Sequence, residues 1–235
     1  MSTLIKVIVA LVISIFLTSC NFDINFSGGI KGNGEVVTQN REATQTFTSV
    51  KATEGLDVFV TQGDQTSIKV EADENVIDLI GTEIRNGRLL IECKKQIGRA
   101  TSKKVYVTLP TIESLESSSG ALLSSAGTIK GDAIKLDASS GSDIKVELQV
   151  KNVSSHASSG AEIEVYGVTG HLEAHASSGS DIHADRLKAR SVEANASSGA
   201  DIDVNASEEI AIHKSSGGDV DYKGSPKVVS KVKID

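Results

Sequence analysis

The chain has 235 residues, with 24 Lys and Arg against 31 Asp and Glu, a formal net charge of -7 and 39% apolar residues. That is enough apolar content for one globular domain with a sizeable core and too much for general disorder, and the acidic balance excludes a nucleic-acid footprint. Aromatic residues are 3% and Trp is absent, so Val, Ile, Leu and Ala must fill a thin, layered core.

Residues 1–20 read MSTLIKVIVALVISIFLTSC, with a single early charge at Lys6 and an uncharged apolar run from Val7 to Leu17. The run is shorter than the ~20 residues a membrane-spanning helix needs, so it reads as the apolar core of an export signal. It closes on Leu17-Thr18-Ser19-Cys20, which resembles the lipobox of bacterial lipoproteins. The resemblance implies removal of residues 1–19, acylation of Cys20 and a durable tether, because several acyl chains on one cysteine hold where a single chain binds marginally. Asn21, where an Asp would signal inner-membrane retention, implies delivery to the outer membrane. Loss of Lys6 takes the net charge from -7 to -8, and leaves Cys93 without an intramolecular disulfide partner. In Leu89-Leu90-Ile91-Glu92-Cys93 the thiol shares a strand face with Leu89 and Ile91, as a structural residue.

Residues 20–33 form the lipidated N-terminus and a polar, glycine-bearing spacer. From residue 34 the chain reads as a single β domain to residue 226. Strand-like runs include Thr46–Val50, Leu56–Val60, Ser67–Val70, Arg88–Ile91 and Val105–Leu109, separated by turn signals at Gly55, Gln62-Gly63-Asp64, Asn86-Gly87 and Pro110. Glu74–Arg85 carries the pattern of a short helix or a crossover.

Repeats are clearest over 112–224. Ser-Ser-Gly recurs at Gly120, Gly141, Gly160, Gly179, Gly199 and Gly217, at spacings of 21, 19, 19, 20 and 18 residues. A period near twenty marks a solenoid, whose repeats bury their apolar side only by stacking. Three residues after each glycine stand Leu123, Ile144, Ile163, Ile182, Ile202 and Val220; five after stand Ser125, Val146, Val165, Ala184, Val204 and Tyr222. Polar residues alternate with them, so the segment is a strand with one wet face. A second short strand precedes each corner, with Ala138, Ala157, Ala176 and Ala196 three residues before the glycine. The fold class is all-β, a parallel β-helix with coils of about 20 residues, right-handed by the usual preference of parallel connections. Tyr222 is expected to plug its end, and residues 227–235, with Pro226, Lys227, Lys231 and Lys233, to form an edge-blocking tail.

The S-S-G-[SA]-[DE]-I-x-V pattern, the closing Gly217-Gly218-Asp219-Val220-Asp221-Tyr222-Lys223-Gly224-Ser225-Pro226, and Phe47–Val50, Leu56–Val60 and Asn86-Gly87-Arg88-Leu89 resemble the family called putative auto-transporter adhesin, head GIN domain. The resemblance spans roughly residues 34–226. It implies an exported β-helical domain and carries over no catalytic residues.

Two columns could carry chemistry. Asp143, Glu162, Asp181, Asp201 and Asp219 lie two residues after successive glycines, so stacked coils set them about 4.8 Å apart as a like-charge ladder. Either a cation such as calcium bridges them, or Asp simply suits the exit of a glycine turn; the absence of the G-G-x-G-x-D nonapeptide favours the turn. Four residues before the glycine run Glu116, Asp137, His156, His175, Asn195 and His213. Asp137, His156 and His175 are the types that capture zinc, copper or nickel, but a straight outward ladder splays its side chains and reads as a solvated face. No serine stands out as a nucleophile, since each one near a histidine belongs to a repeat. The expected protein is a non-enzymatic lipoprotein of the outer membrane, binding an envelope, glycan or host-surface partner or serving as a structural element. The other reading is a carbohydrate-binding or polysaccharide-processing β-helix. The sequence leaves the oligomeric state open.

Overall fold

The computed structural model describes residues 28–233. Its strands are β1 (Val36–Arg41), β2 (Ser49–Ala52), β3 (Asp57–Gln62), β4 (Ser67–Asp73), β5 (Ile80–Arg85), β6 (Arg88–Cys93), β7 (Lys103–Leu109), β8 (Ser114–Ser117), β9 (Leu122–Ser139), β10 (Asp143–Ser158), β11 (Glu162–Ser177), β12 (Asp181–Ala196), β13 (Asp201–Lys214), β14 (Asp219–Gly224) and β15 (Val228–Lys233). A single 3-10 turn, Ile77–Leu79, is the only helix among the described residues. The short helix expected in Glu74–Arg85 is this one turn, and there is no crossover: the second half of the segment is β5, paired antiparallel with β6 across the Asn86-Gly87 turn. Both turn residues have positive φ, the geometry a two-residue hairpin needs.

From β9 to β13 the chain is a parallel β-solenoid, each coil pairing in register with the next. Instead of two separate short strands, each coil is one ladder of 14–18 residues, bent at small register shifts. Leu123, Ile144, Ile163, Ile182, Ile202 and Val220 stack inward and are buried, as are Val146, Val165, Ala184 and Val204. Burial of each large aliphatic chain contributes roughly 1.5–3 kcal/mol, so the aligned columns supply the cohesion that a single coil lacks. Tyr222 keeps its column's register opposite Val204 but is 37% exposed, not buried in the core end as expected.

The corner is tighter than a lone flexible glycine would make it. The second serine of each Ser-Ser-Gly, from Ser119 to Ser216, has φ of 47–57°, and the glycine after it 64–78°. Two consecutive left-handed residues reverse the chain, and the N–H of each glycine from Gly120 to Gly199 donates to the serine carbonyl of the next coil at 3.1–3.2 Å. The following residue, Ala121, Ser142, Ala161, Ser180 or Ala200, points inward and is buried. There the Ser142 and Ser180 hydroxyls donate to the Ser139 and Ser177 carbonyls at 2.8 Å.

The N-terminal third does not climb in chain order. β2 and β3 form one coil around a seventh corner, Thr53-Glu54-Gly55, whose last two residues have φ of 60° and 67°. β6 and β7 lie outside it, parallel to β2 and β3, so the outermost coil is made later in the chain than the one beneath. Antiparallel β4 and β1 cover β7, and β5 covers β6, closing the end. The spacer is shorter than its composition suggests, because Ile30 already bridges Ile97. Buried Asp73 fixes the entry by accepting the N–H groups of Gly34 (2.8 Å), Thr101 (2.9 Å) and Ser102 (3.0 Å). At the other end the expected tail is a strand: β14 and β15 both pair with β13, and the last coil breaks at Pro226, which has no N–H to give to the ladder.

Candidate functional site

Alternation within the strand that precedes each corner turns every second side chain outward. The register pairs Asp137 with His156, His156 with His175, His175 with Asn195 and Asn195 with His213. Ser158, Ser177, Ser197 and Ser215 flank this column, and together they line a shallow groove of about 530 Å³. The column is half-buried rather than fully solvated.

His156 and His175 stack with ring centroids 4.8 Å apart and planes 20° from parallel. Stacked rings direct their nitrogens side by side, and His175 Nε2 is bonded to Glu173 at 2.8 Å. Burial, then the neighbouring His175, hold the His156 imidazole below its ordinary range, and its Nδ1 is buried without a hydrogen-bond partner. The bond from His175 holds the Glu173 carboxyl below its usual range. This face is therefore a set of imidazole, amide, hydroxyl and carboxyl hydrogen-bonding groups arrayed over a β surface. Among the described residues, no three His, Cys, Asp or Glu side chains are placed to hold one metal ion.

The acidic column is in register too, Asp143 over Glu162, Asp181, Asp201 and Asp219. Two of its five members have a basic neighbour. Asp219 pairs with Lys214, and Glu162 lies 3.9 Å from His183. In the adjacent outward column His183 meets Asp203 at 3.1 Å, and Glu164 meets both Lys145 (2.6 Å) and Arg186. His183 stands outside the histidine column, and its position four residues after Gly179 places it in register with Asp203. Cys93 is half-buried, and burial, followed by the carboxylate of Glu54, pushes its thiol up to about 11. It is a protonated structural thiol at neutral pH. Cys20 lies outside the described residues.

Residues 46–226 match the family described as "putative auto-transporter adhesin, head GIN domain". The chain belongs to this family. No curated protein matches it. Among crystal structures, a "putative adhesin" from Bacteroides fragilis superposes with a TM-score of 0.79 at 20% identity, over 87% of this chain and 96% of that one. A "putative adhesin" from Parabacteroides merdae gives 0.68 at 18%, over 87% and 97%. A "putative lipid binding protein" from Parabacteroides distasonis gives 0.64 at 20%, over 88% and 99%. At these identities the likeness shows the shared solenoid alone; the face described above has to be judged on its own chemistry.

Proposed function

We propose that this protein is a non-enzymatic binding lipoprotein of the cell envelope, anchored to the outer membrane through acylated Cys20 and binding an envelope, glycan or host-surface partner. The observation that carries the reading is the groove over His156 and His175, where unpaired and weakly paired polar groups repeat at the coil spacing on a backbone that cannot move independently. Each contact there is modest, and a ligand with its own repeat gains by meeting several at once, the more so when many tethered copies share one membrane. Membership in an adhesin-named family and adhesin-named neighbours supports it. The groove has imidazoles and hydroxyls to hydrogen-bond a sugar, but its lining holds no aromatic platform, so polysaccharide processing is the weaker alternative.

The test is a glycan and host-protein array probed with the unacylated chain, with calcium and with chelator. Saturable binding to a defined class of ligand is expected. An array silent in both conditions would contradict the binding role and leave a structural one.

A further inference from the structure

The net charge of -7 conceals a local excess of the opposite sign. The outermost coil has an enlarged corner between β6 and β7, and the stretch Lys94-Lys95-Gln96-Ile97-Gly98-Arg99-Ala100-Thr101-Ser102-Lys103-Lys104 contains five cations and no carboxylate. The entry segment Gly28–Gly34 lies along it and adds Lys31, again with no carboxylate. The two are bonded as neighbouring strands: Ile30 N donates to Gln96 O (2.9 Å), Gly98 N to Ile30 O (3.0 Å) and Gly32 N to Arg99 O (3.0 Å). Glycine permits this approach, since a Cβ on Gly29 would overlap the Gln96 carbonyl.

The surrounding carboxylates consume only part of this charge. Asp73 is buried and spent on backbone N–H groups, Glu71 faces Lys104 at 3.8 Å and accepts from Ser102, and Asp78 faces Arg41 at 3.9 Å. Lys94 Nζ bonds the Asp78 carbonyl, leaving its charge unpaired, while Glu35 and Glu74 border the patch. Lys31, Lys95 and Arg99 are exposed and, among the described residues, enter no ion pair.

We propose that this end of the solenoid, centred on Lys31, Lys95 and Arg99, docks on anionic lipid headgroups and stands the coil stack end-on to the membrane. The geometry rests on the Cys20 tether. Eight residue steps separate Cys20 from Gly28, a reach of at most about 29 Å, so an acylated chain holds this patch near the headgroups. Within a Debye length of an anionic surface each such cation is worth roughly fivefold in affinity. The acidic coils then point away from the bilayer, and the histidine groove is presented along a shaft rather than pressed against lipid.

The experiment uses residues 20–235 with Cys20→Ser, which keeps every residue of the described fold but carries no acyl chain. It is sedimented with phosphatidylcholine vesicles and with vesicles containing phosphatidylglycerol, at low and at high salt. Binding to the anionic vesicles alone, abolished by salt, is expected. The triple variant Lys31→Gln, Lys95→Gln, Arg99→Gln should reduce the partition coefficient about tenfold or more, while Lys130→Gln, Lys145→Gln, Lys188→Gln on the shaft should preserve it. Unchanged circular dichroism and melting temperature verify that both variants fold. Absence of binding to anionic vesicles, equal binding to neutral ones, or equal loss in both variants would overturn the proposal. Acyl labelling of Cys20 in cells is a separate readout, so a failed tether and a failed docking surface are told apart.

Discussion

Three glycine-to-alanine substitutions separate the contributions that hold the corners. Gly160 has φ of +69° and no heavy atom within 4 Å of where a Cβ would stand, so Gly160→Ala meets no clash and costs only the left-handed conformation, about 1–2 kcal/mol. Gly127, in β9, has equal room and lies outside the left-handed region, so Gly127→Ala should be neutral or stabilising by about 0.4–1 kcal/mol through the unfolded chain. Gly167 combines φ of +114° with a Cβ position that overlaps the Leu148 carbonyl of the coil below. Gly167→Ala must therefore strain the backbone and separate two rungs, at about 3 kcal/mol or more. Urea unfolding followed by circular dichroism reads all three. With slopes of about 1–3 kcal/mol/M, Gly160→Ala should lower the midpoint by roughly 0.3–2 M and Gly167→Ala by more. A Gly160→Ala midpoint equal to that of Gly127→Ala would refute the double left-handed corner.

Ser155 stands in an inward column otherwise filled by Leu136, Ala174, Ala194 and Ile212, and its Oγ is buried without a partner, so Ser155→Ala should stabilise by roughly 1 kcal/mol in the same assay. Acidification should destabilise the fold in two stages, measured as melting temperature against pH. Burial holds the His156 imidazole below its reference value of 6.5, so the unfolded chain takes up this proton first and stability falls as pH drops below 6.5; His156→Asn should flatten that stage. Burial alone would raise the Asp73 carboxyl, but the three backbone N–H donors outweigh it and hold the group below 3.8, so its contribution is present above that pH and is lost beneath it; Asp73→Asn should remove the second stage. Millimolar calcium, compared with chelator, should leave the melting temperature unchanged; a calcium-dependent rise that disappears in Asp181→Ala, Asp201→Ala would establish a site in the acidic column.

The solenoid was legible because stacking forces equivalent positions to share an environment, and that prints a column directly onto the sequence. Ile144, Ile163, Ile182 and Ile202 announce one another. The left-handed second serine was not legible, since serine is also common in turns with negative φ and only the backbone distinguishes them. Thr53-Glu54-Gly55 lacks the serine pair and escaped the period, although it makes the same corner. The layer order escaped as well: whether β6 joins β2 or β8 is decided by long-range packing, and the local strand pattern is identical in either case. Of the candidate site, the order Asp137, His156, His175, Asn195, His213 was readable, while the stacking of two rings, the Glu173 bond and the half-burial required coordinates. The basic corner was readable in Lys94–Lys104 itself, but net charge averaged it away; its meeting with Lys31 depends on the Ile30–Ile97 bridge.

The imidazole and hydroxyl groove is the surface proposed to meet the partner. Surface plasmon resonance against the ligand class identified on the array tests this directly, with His156→Ala, His175→Ala compared with Lys145→Ala, Glu164→Ala on the other strand face. Affinity should fall at least about tenfold in the first variant, equivalent to about 1.4 kcal/mol, and remain unchanged in the second. Equal affinity in the first variant, with its fold intact, would contradict the account.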